Sequence, residues 1–182
     1  MTWEEKKVKA ELQRQDLDWD EIWTRARLKG LSNTARTFLW RKLHDLLPSN
    51  ERLNRILPRT NPSNLCDNCD MGAVDSLSTH CFTQCPHTLE LSAWLVETLN
   101  NIDPTVTPEG IVMLQFTAAD DDTELAAVWI IAATLEVAWA RRIGKEIINI
   151  QLLLGNLRTK VSFMEMSLLH SNACTIIKDL IN

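Results

Sequence analysis

Glycine and proline are scarce in this sequence, which has only five glycines and six prolines among 182 residues. It also lacks any alternating run of valine, isoleucine and threonine long enough to indicate a β-sheet. Because 45% of the residues are apolar, the chain can bury a sizeable core without disulfides. The sequence therefore predicts an all-α fold in one globular unit.

The sequence also lacks an apolar leader and a long apolar run. Its first seven residues do not contain the apolar core of a signal peptide. The longest apolar run, residues 125–135, is too short to span a bilayer and is followed by Glu136. An odd number of cysteines, five, does not fit a secreted disulfide framework. We therefore expect an intracellular protein, nuclear or cytoplasmic, without a membrane partner.

Catalytic motifs are missing as well: there is no Gly-x-Ser-x-Gly, no phosphate-binding loop and no Gly-x-Gly-x-x-Gly. The acidic residues 120–122 superficially resemble the paired aspartates of polymerases, but they precede a long helical pattern, where carboxylates favour the positive end of the helix dipole. His44 and His170 are isolated histidines on predicted helices. We predict no enzymatic activity and no small-molecule substrate.

A cluster of cysteine and histidine residues is the most informative motif. Its pattern is C-x2-C-x10-H-x4-C, formed by Cys66, Cys69, His80 and Cys85. Four such ligands in one turn-rich stretch are typical of a closed, tetrahedral structural zinc site, whereas a catalytic zinc keeps one position open. The Cys-x2-Cys pair suits a tight knuckle and the His-x4-Cys pair suits a short helical turn. The sequence therefore predicts one structural Zn²⁺ ion.

Two alternatives to this ligand set remain open from the sequence. His87 could replace Cys85 as the fourth ligand, while Cys81 directly follows His80 and is expected to point away. Alternatively, the three cysteines are small core residues and His80 is a surface histidine.

Charge is distributed unevenly along the chain, whose net charge is −5. Residues 24–60 hold nine basic and two acidic residues, a net charge of +7, which leaves −12 for the rest. A basic segment directly before a zinc site indicates nucleic-acid binding, although it also fits the solvated faces of two helices. The residues that we expect to contact phosphates, or to stack in the case of the tryptophan, are Arg36, Trp40, Arg41, Lys42, Arg52, Arg55 and Arg59.

The helical pattern divides the chain into three segments. These are a peripheral N-terminal helix (residues 1–15), a zinc-binding helical segment (16–101) and a C-terminal helical segment packed on it (102–182). A long helix after residues 120–122 is predicted to lie at the centre of the core, and a final long helix to span about residues 146–169. Residues 111–116 could form a helix or a strand, because periodicity does not distinguish them.

Helix caps and apolar stripes predict where the helices of the zinc-binding segment begin and which side chains they bury. Asp16 or Asp18, Ser32 or Asn33, and Ser49 are suitable N-caps. The helix after Ser32 or Asn33 is expected to run to about residue 47, where Pro48 stops it. The next helix, residues 50–57, is expected to turn three apolar side chains inward, namely Leu53, Ile56 and Leu57.

Several pieces of the chain occur in a characteristic order over about residues 19–94. They are Trp19-Asp20-Glu21-Ile22-Trp23, the run from Thr37-Phe38-Leu39-Trp40-Arg41 through His44 to Leu47-Pro48, Arg52-Leu53, Cys66-x-x-Cys69, His80-Cys81-Phe82-x-x-Cys85-Pro86 and Trp94. This order resembles the zinc-binding segment that follows the reverse transcriptase in non-LTR (LINE-type) retrotransposons. The resemblance implies Cys66, Cys69, His80 and Cys85 as zinc ligands, and a role in holding template RNA or target DNA.

The chain departs from that family in two ways. The acidic residue usual a few positions before the histidine is matched only by Asp75, and no polymerase or endonuclease domain is present. We therefore expect an excised C-terminal segment or a domesticated host protein. The predicted function is a non-catalytic, structural-zinc module that binds nucleic acid, RNA more than DNA. The alternative is a protein-interaction adaptor or homodimerising helical module, which the tryptophans and long apolar helices also fit.

Overall fold

The computed structural model describes residues 17–61, 63–66, 68–70, 80–144, 149–165 and 172–182. These residues form helices and connecting turns without a β-strand, which confirms the all-α prediction. The predicted helix over residues 1–15 lies outside the described residues. The helices are α1 (Trp19–Arg25), α2 (Asn33–Leu43), α3 (Asn50–Ile56), a π-helical turn (His80–Gln84), α4 (Leu89–Leu99), α5 (Pro108–Val112), α6 (Asp121–Gly144), α7 (Ile150–Glu165) and α8 (Ala173–Ile181).

Side-chain caps set the starts of the first three helices. Asp18, Ser32 and Ser49 each accept a hydrogen bond from the backbone N–H three residues further on, which satisfies a donor that the helix itself leaves unpaired. Thr107 caps α5 in the same way, so the apolar stretch after Pro108 begins as a helix rather than a strand.

Two predicted helix ends are wrong. Helix α2 ends at Leu43, whereas the sequence predicts that it continues to about residue 47. It ends early because Asp45 adopts a left-handed conformation with φ 50°. The predicted final helix over residues 146–169 starts later than expected, because Asn149 is not helical and α7 begins at Ile150; its predicted end at residue 169 lies outside the described residues. A further helix near the end of the chain, α8, packs against both α6 and α7.

Helix α6 lies at the centre of the core, as predicted. It contacts α1, α2, α4, α7 and α8, and residues 125–133 along it are all buried. Asp120 caps its start by accepting a hydrogen bond from the Thr123 N–H at 2.8 Å, which confirms the helix-capping interpretation of the acidic run. By length and composition alone the stretch Asp121–Arg141 could cross a membrane, but 72% of its most apolar window is buried inside the fold, as in a core helix.

Helix α3 orients differently from the prediction. Leu53 is half-buried, but Ile56 and Leu57 are 54% and 52% exposed, so the expected inward stripe is wrong for these two side chains.

The loop between α4 and α5 is tied to the segment before α6 by one buried carboxylate. Asp103 accepts hydrogen bonds from the Thr105 hydroxyl at 2.6 Å, the Thr105 N–H at 2.9 Å and the Thr117 N–H at 2.7 Å. The Thr105 hydroxyl and these backbone donors lower the pKa of Asp103 from its usual value of 3.8.

We expect Asp103→Asn to lower the free energy of unfolding by about 1–2 kcal/mol at pH 7, since the amide accepts fewer of these bonds. A carboxyl whose pKa is lowered by folding stabilises the fold above its unfolded pKa and loses that contribution as the pH falls through the folded value. The difference between wild type and variant should therefore be smaller at a pH well below 3.8 than at pH 7. Guanidinium chloride unfolding at the two pH values measures it, and an equal difference at both would contradict the assignment.

Candidate metal centre

The side chains of Cys66, Cys69, His80 and Cys85 converge at one point. Their ligand atoms all lie within 4.8 Å of one another, with 3.9 Å between the Cys66 and Cys85 sulfurs and 3.3 Å between the Cys69 sulfur and His80 Nε2. Two sulfurs bound at about 2.3 Å in a tetrahedron would be about 3.8 Å apart, and a sulfur and an imidazole nitrogen about 3.6 Å. The four residues could therefore hold one metal ion with little rearrangement.

A tight backbone turn brings the first two cysteines together. The Asp70 N–H donates to the Cys66 carbonyl at 3.0 Å, and Asp70 adopts a left-handed conformation with φ 54°. Aspartate tolerates this region better than most side chains do. The turn directs both sulfurs to the same side, as the Cys-x2-Cys spacing predicts.

A π-helical turn supplies the other two ligands. The Cys85 N–H donates to the His80 carbonyl at 2.8 Å, so the residues at i and i+5 are closed by the hydrogen bond that defines a π-helix. The turn is fixed by Phe82, whose ring lies 6.4 Å from that of Phe38 on α2 and 6.1 Å from that of Trp139 on α6. The core therefore holds the His-x4-Cys pair in place.

Asparagine side chains tie the metal cluster to helix α3. Asn50, the first residue of α3, donates to the Leu65 carbonyl at 2.9 Å, directly before Cys66. Asn61 donates to the Asn50 carbonyl at 3.1 Å, and Asn54 donates to the Asn61 carbonyl at 2.9 Å. Sequence reasoning missed these three residues, because isolated amides on a short helix and in the loop after it carry no motif of their own.

The electrostatics of the cluster favour a bound cation. Burial opposes ionisation of the Cys66 thiol, but hydrogen bonds from the Asn68 and Cys69 N–H groups outweigh it and lower its pKa. Burial raises the pKa of the Cys85 thiol to about 12, and the neighbouring charge on Cys66 contributes to the increase. Three thiolates cannot coexist in this space unless a positive charge balances them.

Two residues that neighbour the four candidate ligands in the sequence lie outside the metal cluster. His87 is exposed and Cys81 is buried in the main core, and neither belongs to the cluster. His80 is only 5% exposed, so the alternative of a surface histidine is wrong.

The predicted nucleic-acid residues do not all reach the surface. Arg41, Arg55 and Arg59 are exposed, whereas Arg36 and Arg52 are half-buried. Arg55 lies 3.4 Å from the Asp45 carboxylate, and Arg52 donates to the Asp45 carbonyl. Arg41 and Arg59 form no ion pair within the described part of the chain.

Lys42 corrects the prediction most clearly. It is fully buried, and its ammonium group donates to the Val112 carbonyl and lies 3.8 Å from the Met113 sulfur. A side chain in this position cannot contact phosphates, so Lys42 is removed from the predicted binding set. Trp40 is half-buried and contacts the ring of His44 at 4.6 Å.

Comparisons with protein-family models, with curated proteins and with solved structures give no match.

Proposed function

We propose that the chain binds one structural Zn²⁺ ion and serves as a non-catalytic nucleic-acid-binding module, with RNA preferred over DNA. The observation that carries this proposal is the set of hydrogen bonds between α3 and the loop entering the metal cluster. Through these bonds the metal would hold in position the helix that bears Arg52 and Arg55.

The choice of zinc follows from the donor set. Three thiols and one imidazole, in a cluster whose Cys66 and Cys85 are 1% exposed, match the ligands and the enclosure of structural zinc sites. With four protein ligands, no position remains for a substrate or an activated water molecule. The metal would therefore stabilise the fold rather than take part in a reaction.

The charge distribution supports a phosphate-binding role for the adjoining surface. Of the nine basic residues between positions 24 and 60, Arg25 and Lys42 are buried and the other seven are exposed or half-buried. The Asp45 carboxylate pairs with one of these residues, Arg55, at 3.4 Å. An ion pair whose arginine is largely exposed is worth at most about 1 kcal/mol, so phosphates can compete for Arg55. The preference for RNA rests on the resemblance to the retrotransposon segment.

We expect the triple change Arg41→Glu, Arg55→Glu and Arg59→Glu to weaken single-stranded RNA binding on the order of 100-fold in 0.1 M salt. Each lost phosphate contact should also reduce the slope of log affinity against log salt concentration by about 0.7. Fluorescence anisotropy with a labelled RNA of 20 nucleotides measures both quantities, and the same titration with DNA tests the preference.

A charge-matched control is available on the C-terminal helices. Arg158, Lys160 and Lys178 are exposed, and their reversal to glutamate changes the net charge by the same amount. The proposal requires this control to keep most of its affinity. Equal losses in both triple variants would show that only the net charge matters, and unchanged binding in the first variant would refute the assigned surface.

A protein-interaction module is the second candidate, and one observation favours it. Ile56, Leu57 and Leu65 are 54%, 52% and 40% exposed, and Asn50 hydrogen-bonds α3 to Leu65. Exposed aliphatic side chains grouped in this way are typical of contact surfaces. A chain that is dimeric by light scattering and binds no RNA would favour this candidate over the first.

A further inference from the structure

A groove next to α1 and α2 has the composition of a small ligand site. Its volume is about 340 Å³, within the range of roughly 300–1,000 Å³ that is usual for such sites. Its walls combine aromatic rings, guanidinium groups and one hydroxyl, and none of its lining residues is acidic. The lining residues are Trp23, Ala26, Arg27, Arg36, Thr37 and Trp40.

A row of aromatic rings supports one wall of this groove. Trp19 stacks on Trp23 with 5.6 Å between ring centroids, Trp23 stacks on His44 at 4.9 Å, and His44 contacts Trp40 at 4.6 Å. The first three residues of the row are buried, and Trp40 at its end is half-buried. Because its neighbours fix the Trp40 ring, a ligand that stacks on it need not order that side chain.

Arginine side chains give the groove its charge. The Arg27 Nε donates to the Trp23 carbonyl at 3.0 Å, and the Arg36 Nη2 donates to the Leu28 carbonyl at 3.1 Å, so both guanidinium groups are held by the backbone. The Arg36 Nε is buried and has no hydrogen-bond partner among the described residues. Buried donors are nearly always paired in folded proteins, so an acceptor at the edge of the groove would satisfy this atom.

We propose that this groove binds one unpaired nucleotide of a single strand, with the base against Trp40 and the phosphate against Arg27 and Arg36. Stacking on an aromatic ring accepts any base, and guanidinium groups pair with phosphate oxygens. A base inside a duplex cannot enter, so the groove favours a single strand, whereas the exposed arginines contact phosphates of any strand. This inference rests on the proposed function and assigns to it a site that recognises a base.

Filling the groove tests this site without removing a packed side chain. Thr37 is exposed on α2 and lines the groove, so Thr37→Leu places a larger side chain in it. Thr34, one turn earlier on the same helix, is exposed and does not line the groove, so Thr34→Leu is the matched control. The probes are an eight-residue oligouridylate and an abasic ribose–phosphate oligomer of the same length, titrated against the full chain by fluorescence anisotropy.

The expected result is selective. Thr37→Leu should weaken binding of the oligouridylate roughly 10-fold, as the loss of one stacked base predicts, and leave the abasic oligomer unaffected. Thr34→Leu should change neither. Oligouridylate binding that survives Thr37→Leu, or equal losses for the two probes, would overturn the nucleotide site and leave the basic surface intact. If the wild-type chain binds neither probe, the proposed function fails together with the inference.

Discussion

We expect Cys66→Ser and Cys85→Ser each to abolish binding of the proposed Zn²⁺ ion and to lower the free energy of unfolding on the order of 5 kcal/mol. Serine is a poor zinc ligand at neutral pH, and both positions are 1% exposed, so the lost sulfur leaves a buried gap in the ligand set. Zinc content measured by mass spectrometry should fall from about one ion per chain to background. Guanidinium chloride unfolding of the purified variants measures the change in stability.

His87→Ala provides the matched control for the ligand assignment. His87 lies two residues after Cys85 but is exposed and outside the cluster, so this variant should keep one zinc ion and nearly all of its stability. If His87→Ala lost the metal while Cys85→Ser retained it, the fourth ligand would be the histidine.

The effect of metal loss should also be local. Cys66 and Cys85 form a small cluster that is separate from the main core, in which residues from Leu17 to Ile181 are buried together. Removal of zinc with a chelator should therefore speed amide exchange in α3, the loop before Cys66 and the π-helical turn, while α6 and α8 remain protected. Uniform loss of protection would show that the metal holds the whole fold rather than this end of it.

Spacing in the sequence was sufficient to predict the metal cluster because its geometry is local. The Cys-x2-Cys knuckle and the His-x4-Cys turn each depend on one backbone hydrogen bond within a few residues. The capped helix starts were predictable for the same reason. Residue spacing cannot indicate where distant segments meet, and the errors in the prediction lie there.

Lys42 and Arg25 illustrate that limit. Both belong to the basic segment, and the sequence gives no sign that they are buried rather than exposed. Among their partners are carbonyls at or just after the end of α5, about 70 and 90 residues away. Lys42 donates to Val112, the last residue of α5, whose carbonyl lacks a partner within the helix. Arg25 donates to Leu114 in the turn that follows. Basic residues that could be read as a ligand-binding surface therefore include two that stabilise the fold.

Arg25→Met should lower the free energy of unfolding by about 3 kcal/mol. This value is near the lower limit of the cost of breaking a buried ion pair, because the Glu124 carboxylate is partly exposed to water. Arg25 is 3% exposed, its Nε lies 2.9 Å from Glu124, and its guanidinium carbon is 4.2 Å from the centre of the Phe116 ring. Methionine fills similar space but leaves the Glu21 and Glu124 carboxylates and the Leu114 carbonyl without this donor.

Arg41→Met is the control for this prediction, since Arg41 is exposed in the same basic segment, and its effect on stability should stay within about 0.5 kcal/mol. The two variants should also differ in RNA affinity. Arg41→Met should weaken RNA binding by one phosphate contact, whereas folded Arg25→Met should bind RNA as tightly as wild type. Unfolding by guanidinium chloride and RNA titration on the same preparations measure both. A stability loss below about 1 kcal/mol for Arg25→Met would place that guanidinium among the surface charges, because a buried donor to a carboxylate and a carbonyl cannot be removed at so small a cost.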